Sequence, residues 1–184
     1  GMAQIDIPPW RADVTVNVVD ASERYEAVEP GSLKLTAGEV VVEVVGETGT
    51  AIERLDLQDG ARPKVDVATL LPAQVTLVGV PGGSNLQITG GPDQEDREPI
   101  DVSPGNGALD DEVGIPMNPV PLLGLRSGQY SAQIEHPALG EMGVTFFAVG
   151  GEVSAQPVPW QSMPGFASTR SAYRVWRAQE AAAS

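Results

Sequence analysis

Apolar and polar residues alternate along most of the first 150 positions of the chain. Every second residue is apolar from Val14 to Val18, from Val40 to Val44 and from Tyr130 to Ile134. A period of two places alternate side chains on one face of a β-strand. The same alternation recurs in shorter segments, around Leu33, Leu55, Val65, Val75, Leu86, Ile100, Leu122 and Val144. The pattern predicts an all-β fold of half-buried strands.

Turn-forming residues separate these segments. Examples are Pro30-Gly31, Asp59-Gly60 and Pro81-Gly82-Gly83. These residue types favour the backbone angles of tight turns. Short strands at such spacing indicate an antiparallel β-sandwich rather than alternating strands and helices. The segment from Val40 to Val45 is apolar on nearly both faces, so we expect it to be a central strand. The tight connection from Pro137 to Gly140 predicts a hairpin.

Residues 90–119 interrupt the strand pattern. They are rich in Gly, Pro and acidic residues and contain only isolated apolar positions, which predicts a long loop or a linker. With this loop included, we interpret residues 1–150 as one sandwich body. An alternative is two small β domains that divide near residue 91.

One segment resembles a known family. The run LRSGQYSAQIE contains Leu125, Gly128 and Tyr130 in the order L-x-x-G-x-Y, and it resembles the entry to the penultimate strand of bacterial immunoglobulin-like sandwiches. The resemblance extends to Val149 and implies a tyrosine corner, in which the Tyr hydroxyl bonds to the backbone just upstream. The chain lacks that family's cysteine pair, and no Trp occupies a middle strand.

Charge limits the classes of function. The chain has 25 acidic and 11 basic side chains, a net charge of −14, which opposes nonspecific binding to nucleic acid. It has no cysteine and therefore no disulfide or thiolate chemistry. No apolar stretch reaches the roughly 18–20 residues that span a bilayer, so we expect no membrane segment.

The charge is unevenly distributed. Residues 1–150 have 8 basic and 23 acidic side chains, a net of −15, whereas residues 151–184 have 3 Arg and 2 Glu, a net of +1. This C-terminal segment, here called the arm, begins with an extended Pro-rich stretch and ends in a predicted short helix at about residues 171–183. Its aromatic and basic residues are candidates for docking to a protein partner: Trp160, Phe166, Arg170, Tyr173, Arg174, Trp176 and Arg177.

Two interpretations of the arm remain open. It folds back over its own sandwich and covers an open end or a sheet edge, or it docks on another subunit or a different protein, with Trp and Tyr as anchors. A helix of about 12 residues is marginal alone in water, so both interpretations give it a surface to lie on.

Few residues suggest catalysis or metal binding. His136 is the only histidine, and we expect it to be a solvated turn residue rather than a general base. The acidic residues of the 90–119 loop lack the D-x-[DN]-x-[DN]-G spacing of calcium loops, so we expect a solvated loop, with calcium binding as the alternative. No nucleophile elbow or phosphate-binding loop is present, and we expect neither a cofactor nor enzymatic activity.

The sequence thus favours a structural or protein-interaction module, as a component of a phage or other bacterial assembly, that docks or self-associates through its arm. The alternative is a carbohydrate- or calcium-binding domain related to adhesins. The start Gly1-Met2-Ala3 has no basic and apolar signal segment after it, which predicts a cytoplasmic or virion-associated protein. If a signal has been removed upstream, the protein is secreted.

Overall fold

The structure is a computed structural model that describes residues 1–92, 97–104, 117–160 and 166–183, without the side chains of residues 166–170 and 181. Within these ranges the chain is mostly strand, which confirms the all-β prediction. The strands are β1 (Met2–Ile7), β2 (Thr15–Val19), β3 (Arg24–Tyr25), β4 (Gly31–Thr36), β5 (Gly38–Gly46), β6 (Gly49–Leu57), β7 (Ala73–Pro81), β8 (Asn85–Gly90), β9 (Ile100–Asp101), β10 (Met117–Leu125), β11 (Gly128–His136), β12 (Gly140–Ala148) and β13 (Val153–Pro157). A 3₁₀ helix occupies Val67–Leu70, and the helix α1 occupies Phe166–Ala183.

The N-terminal strands form two antiparallel sheets. Sheet I pairs β1 with β4, and sheet II has the order β3-β2-β5-β6. The strand β5 lies between β2 and β6, as its nearly two-sided apolar pattern predicts. Its Val40, Val42 and Val44 are fully buried and share one hydrophobic core with Ile5 of β1 and Leu35 of β4. Sheets I and II are therefore the two layers of a small sandwich.

The remaining strands form a second pair of sheets. Sheet III has the order β10-β7-β13, and sheet IV has the order β12-β11-β8-β9. Pairing is antiparallel throughout except between β13 and β7, which run parallel. The inward side chains of both sheets meet in a second core, which includes Leu77, Leu86, Ile134 and Phe146.

Residues 1–150 thus contain two hydrophobic cores, where the sequence pattern suggested one sandwich or a division near residue 91. The first core ends at Leu70 and the second begins at Ala73. Both sides of residue 91 belong to sheet IV, because β8 pairs with β9 and with β11. Strand periodicity identifies which residues face inward, but it does not say which inward faces meet. The division of the chain into domains stays a prediction.

The two halves contact each other directly. Thr48, in the turn before β6, accepts a hydrogen bond at its carbonyl from the N–H of Gly124 (2.7 Å) and donates one from its hydroxyl to the carbonyl of Pro72 (2.6 Å). Arg126 forms a partly buried ion pair with Glu53. These contacts hold the end of β10 against the start of β6.

The tyrosine corner that the resemblance implies is present. The Tyr130 hydroxyl donates a hydrogen bond to the carbonyl of Arg126 at 2.8 Å, while its ring is buried and stacks on Phe146 at 5.6 Å between centroids. The predicted hairpin across Pro137 to Gly140 is also confirmed, since β11 pairs with β12 from His136 to Gly128.

Two local predictions are wrong or incomplete. Val65 and Val67 are buried, but Val67 begins the 3₁₀ helix rather than continuing a strand. The alternation of Ala3, Ile5 and Ile7 in β1 was overlooked, although all three side chains are buried. The predicted short strand near Ile100 is β9, whereas most of the acidic loop lies outside the described residues.

Candidate functional site

The arm packs on its own body. Its strand β13 adds to the edge of β7, and the N–H of Val158 continues this pairing by donating to the carbonyl of Val78 at 2.8 Å. Trp160 follows and is 1% exposed within the C-terminal core. In the structure, the arm therefore covers a sheet edge, the first of the two arrangements that the sequence left open.

The helix α1 docks at one end of this core through two aromatic side chains. Tyr173 is fully buried, and Trp176 is partly buried against the core. The ring of His136 lies 5.1 Å from that of Tyr173 and 4.5 Å, edge-on, from that of Trp176. Together with the turn at Gly82 and Gly83, these three side chains are called the helix dock below.

Glycine at position 83 makes this close approach feasible. Gly83 has φ +90°, and a β-carbon there would lie 2.1 Å from Cη2 of Trp176. Such a φ strains residues other than Gly, and that distance leaves no room for a side chain. The indole therefore lies directly on the backbone of the turn between β7 and β8.

Hydrogen bonds fix the tautomer of His136. Its Nδ1 accepts from the N–H of Ala138 at 3.0 Å, so the ring proton lies on Nε2, which donates to the carbonyl of Gly82 at 3.0 Å. The Tyr173 hydroxyl donates to the same carbonyl at 3.2 Å. Burial lowers the pKa of His136, although the bond to Gly82 opposes this effect, and burial raises the pKa of Tyr173.

These observations place the predicted docking residues. Trp160 and Tyr173 are buried in the chain's own core, so in this conformation they offer no side-chain surface to a partner. Arg174 and Arg177 are partly exposed on α1. Phe166 and Arg170 lie in α1, but their side chains are outside the described part. The docking role of the arm residues stays a prediction.

His136 was misjudged from the sequence. It is 4% exposed, so the interpretation as a solvated turn residue is wrong. The apolar residues of β11 that precede it, at every second position from Tyr130 to Ile134, place position 136 on the buried face as well. That register was the available signal for burial of His136.

A different surface stands out by its chemistry. The outward side of sheet III carries three rows of side chains, one from each strand. Residues of this face alternate with core residues along β10 and β7, and the register with β7 places Val153, Ala155 and Pro157 of β13 on the same face. It is called the uncharged face below and consists of Pro119, Pro121, Leu123, Gln74, Thr76, Val78, Val153, Ala155 and Pro157.

Seven of these nine side chains are apolar and none is charged. The exposed fractions are 56% for Leu123, 46% for Val78 and 66% for Val153. In the register, Val78 lies beside Pro157 of β13, and Thr76 lies between Pro121 of β10 and Ala155. The face is therefore contiguous across all three strands.

The outward side of sheet IV has a different character. Gln129, Ser131 and Gln133 of β11 are exposed there, and Ser131 pairs with Thr145 of β12. A single large apolar side chain, Phe147, is 67% exposed opposite Gln129. This side is polar and uncharged at its centre, with the aromatic ring near one end.

The acidic loop residues, for which calcium binding was the alternative, fall largely outside the described residues. Asp93, Glu95, Asp96, Asp110, Asp111 and Glu112 are not described. Of the described acidic residues in this stretch, Asp101 accepts a hydrogen bond from the Asn85 amide at 2.6 Å. Within the described ranges, no group of three or more His, Asp or Glu side chains is arranged to hold a metal ion.

Comparisons with known proteins give distant likenesses only. No family model and no curated protein matches the chain. Among solved structures, it is similar to a minor pilin of Streptococcus agalactiae at 10% identity and TM-score 0.35, over 85% of this chain and 94% of the pilin. A leucine-rich repeat protein from Bacteroides thetaiotaomicron shares 12% identity and TM-score 0.31, over 86% of this chain and 26% of that one. No helix among the described residues is long and apolar enough to cross a membrane.

Proposed function

We propose that this chain is a non-enzymatic structural module that binds another protein through the uncharged face, as a component of a phage or other bacterial assembly. The observation that carries the proposal is the face itself: nine neighbouring side chains without a charge, on a chain of net charge −14. The largest exposed apolar patch on a soluble protein, typically a few hundred Å² in area, is often functional.

The edge strands of sheet III are poorly suited to pair with an added strand. Pro119 and Pro121 in β10, and Pro157 in β13, have no backbone N–H to offer to an added strand. Such edge prolines oppose extension of a sheet by another chain. A partner is therefore expected to lie across the side chains of the face rather than to pair with its edges.

The arm takes part in this proposal through β13. That strand supplies Val153, Ala155 and Pro157, the third row of the face. Contact through the arm thus uses its first strand, while the aromatic residues further along anchor the arm to its own core.

The test is crosslinking in the cells that make the protein. A photoreactive amino acid replaces Val78 or Val153 in the face, and Ser131 in the outward side of sheet IV serves as the matched control. We expect protein adducts from the first two positions and few from the third. Absence of adducts at both face positions, or equal yields at all three, would overturn the proposal.

One observation favours a second candidate function, carbohydrate binding. Phe147 is exposed beside amide and hydroxyl side chains of β11, and an aromatic ring with a few polar groups is a usual arrangement in small-ligand sites. A glycan array with the wild-type chain and with Phe147→Ala tests it. Signals that disappear in the variant support this candidate, whereas no signal, or equal signals, rejects it.

A further inference from the structure

We infer that the protein that covers the uncharged face is a second copy of this chain, stacked face to face through sheet III. This inference rests on the proposed function, because it names the partner of the same surface. Charge, area and symmetry support it.

Charge distinguishes this face from the other sheet surfaces of the chain. The outward side of sheet IV ends in Glu135 paired with Glu141, and sheet II carries ionic side chains such as Glu43 and Arg24. Two copies that met through sheet IV would bring like charges together at short range, which is unfavourable. At the uncharged face two copies meet without burying a charge.

Area sets the expected strength of the contact. Three strands about 4.8 Å apart, and about six residues at a rise of about 3.4 Å each, give a footprint of roughly 15 Å by 20 Å, or ~300 Å². A standard interface uses about 800 Å² per partner. The footprint therefore predicts a weak, reversible dimer rather than an obligate one.

The arrangement of rows suits two-fold symmetry. If the axis runs along β7 between the copies, the β10 row of one copy lies on the β13 row of the other. Leu123 and Pro121 then face Val153 and Ala155, while the two rows that contain Val78 meet at the axis. Each copy uses the same patch, as in most homodimers.

Salt gives this dimer a characteristic response. Each copy carries −14, so the bodies repel each other at long range, and added salt screens that repulsion. The contact itself is apolar and is not weakened by screening. We therefore expect association to strengthen between about 0.05 M and 0.5 M NaCl, where the Debye length falls several-fold.

Sedimentation equilibrium of the full chain, from low micromolar to several hundred micromolar, measures this association and its dependence on salt. The expected mass rises with concentration toward twice that of the monomer, and more so in 0.5 M salt. Val78→Glu is expected to weaken association at least about tenfold, since it places a charge in an apolar contact. Ser131→Glu adds the same charge to sheet IV and is expected to change association less than about twofold.

A charge-exchange experiment keeps the result independent of folding defects. Chains with Val78→Glu or Val78→Lys are each expected to be monomeric, and an equimolar mixture is expected to associate. A wild-type chain that stays monomeric at every concentration and salt level overturns the inference. If the chain does not self-associate but Val78 crosslinks to a different protein in cells, the inference of a second copy fails and the proposed function stands. If the chain neither self-associates nor crosslinks to a different protein, the inference and the proposed function both fail.

Discussion

Acidification is expected to loosen the helix dock because it protonates His136. The neutral ring accepts the Ala138 N–H at Nδ1 and donates from Nε2 to Gly82. Protonation of Nδ1 removes that acceptor and places a positive charge in a buried site between Tyr173 and Trp176. Docking of α1 therefore depends on the neutral form.

The direction in which stability changes with pH follows from the pKa of His136, which burial lowers below its ordinary value. Below about pH 6.5 the unfolded chain binds a proton at this residue that the folded chain does not. Stability is therefore complete above that pH and falls as the pH decreases toward the folded-state pKa. A difference of one bound proton changes the free energy of unfolding by at most about 1.4 kcal/mol per pH unit in this window. His136 is the only histidine, so no other side chain ordinarily titrates between pH 5 and 7.

The assay is urea unfolding followed by tryptophan fluorescence at pH 7.0 and 5.5, with His136→Gln as the control. Gln keeps a donor for Gly82 but does not titrate. We expect the wild type to lose up to about 1 kcal/mol of unfolding free energy over this range and the variant to lose much less. Equal losses in both proteins, or a wild type that gains stability as the pH falls, would refute the reasoning.

Three further predictions concern single positions. Tyr130→Phe removes the bond to Arg126 and is expected to cost about 1 kcal/mol in urea unfolding; no change would argue against the tyrosine corner as a stabilising contact. Gly83→Ala is expected to displace Trp176 and cost at least about 2 kcal/mol, visible as a shift in tryptophan emission; an unchanged spectrum would contradict the close approach. Although burial of Asp20 acts to raise its pKa, three backbone N–H bonds outweigh it and lower the pKa. The wild type thus loses this stabilisation only below about pH 4, and Asp20→Asn is expected to cost about 1–3 kcal/mol at pH 7 and to flatten the acid limb of the stability profile; an unaltered acid limb would refute the assignment.

Strand positions in this chain could be predicted because burial on one face imposes a period of two. The runs at Val40 to Val44 and Tyr130 to Ile134 show it clearly, and both lie in strands with one face buried. The strand β13 was not recognised, since Pro157 and exposed residues on both sides hide the period. Its place depends on the parallel edge of β7, a long-range contact that local sequence does not encode.

The candidate site was harder to predict for the same reason. Trp160 and Tyr173 were predicted to dock on a partner, and in the structure both side chains are buried in the chain's own core. The uncharged face combines residues from β7, β10 and β13, which are far apart in sequence. Only the sheet order brings Val78 beside Pro157, so composition alone could not reveal the patch.

The central claim is that protein covers the uncharged face in the cell. Carbene footprinting of the chain in cells and as dilute purified protein tests it directly, with Leu123, Val78 and Val153 as reporters and exposed Phe147 of sheet IV as the internal reference. The account predicts that the three reporters are labelled several-fold less in cells, while Phe147 is labelled equally in both samples. Equal labelling of the three reporters in both samples would contradict it.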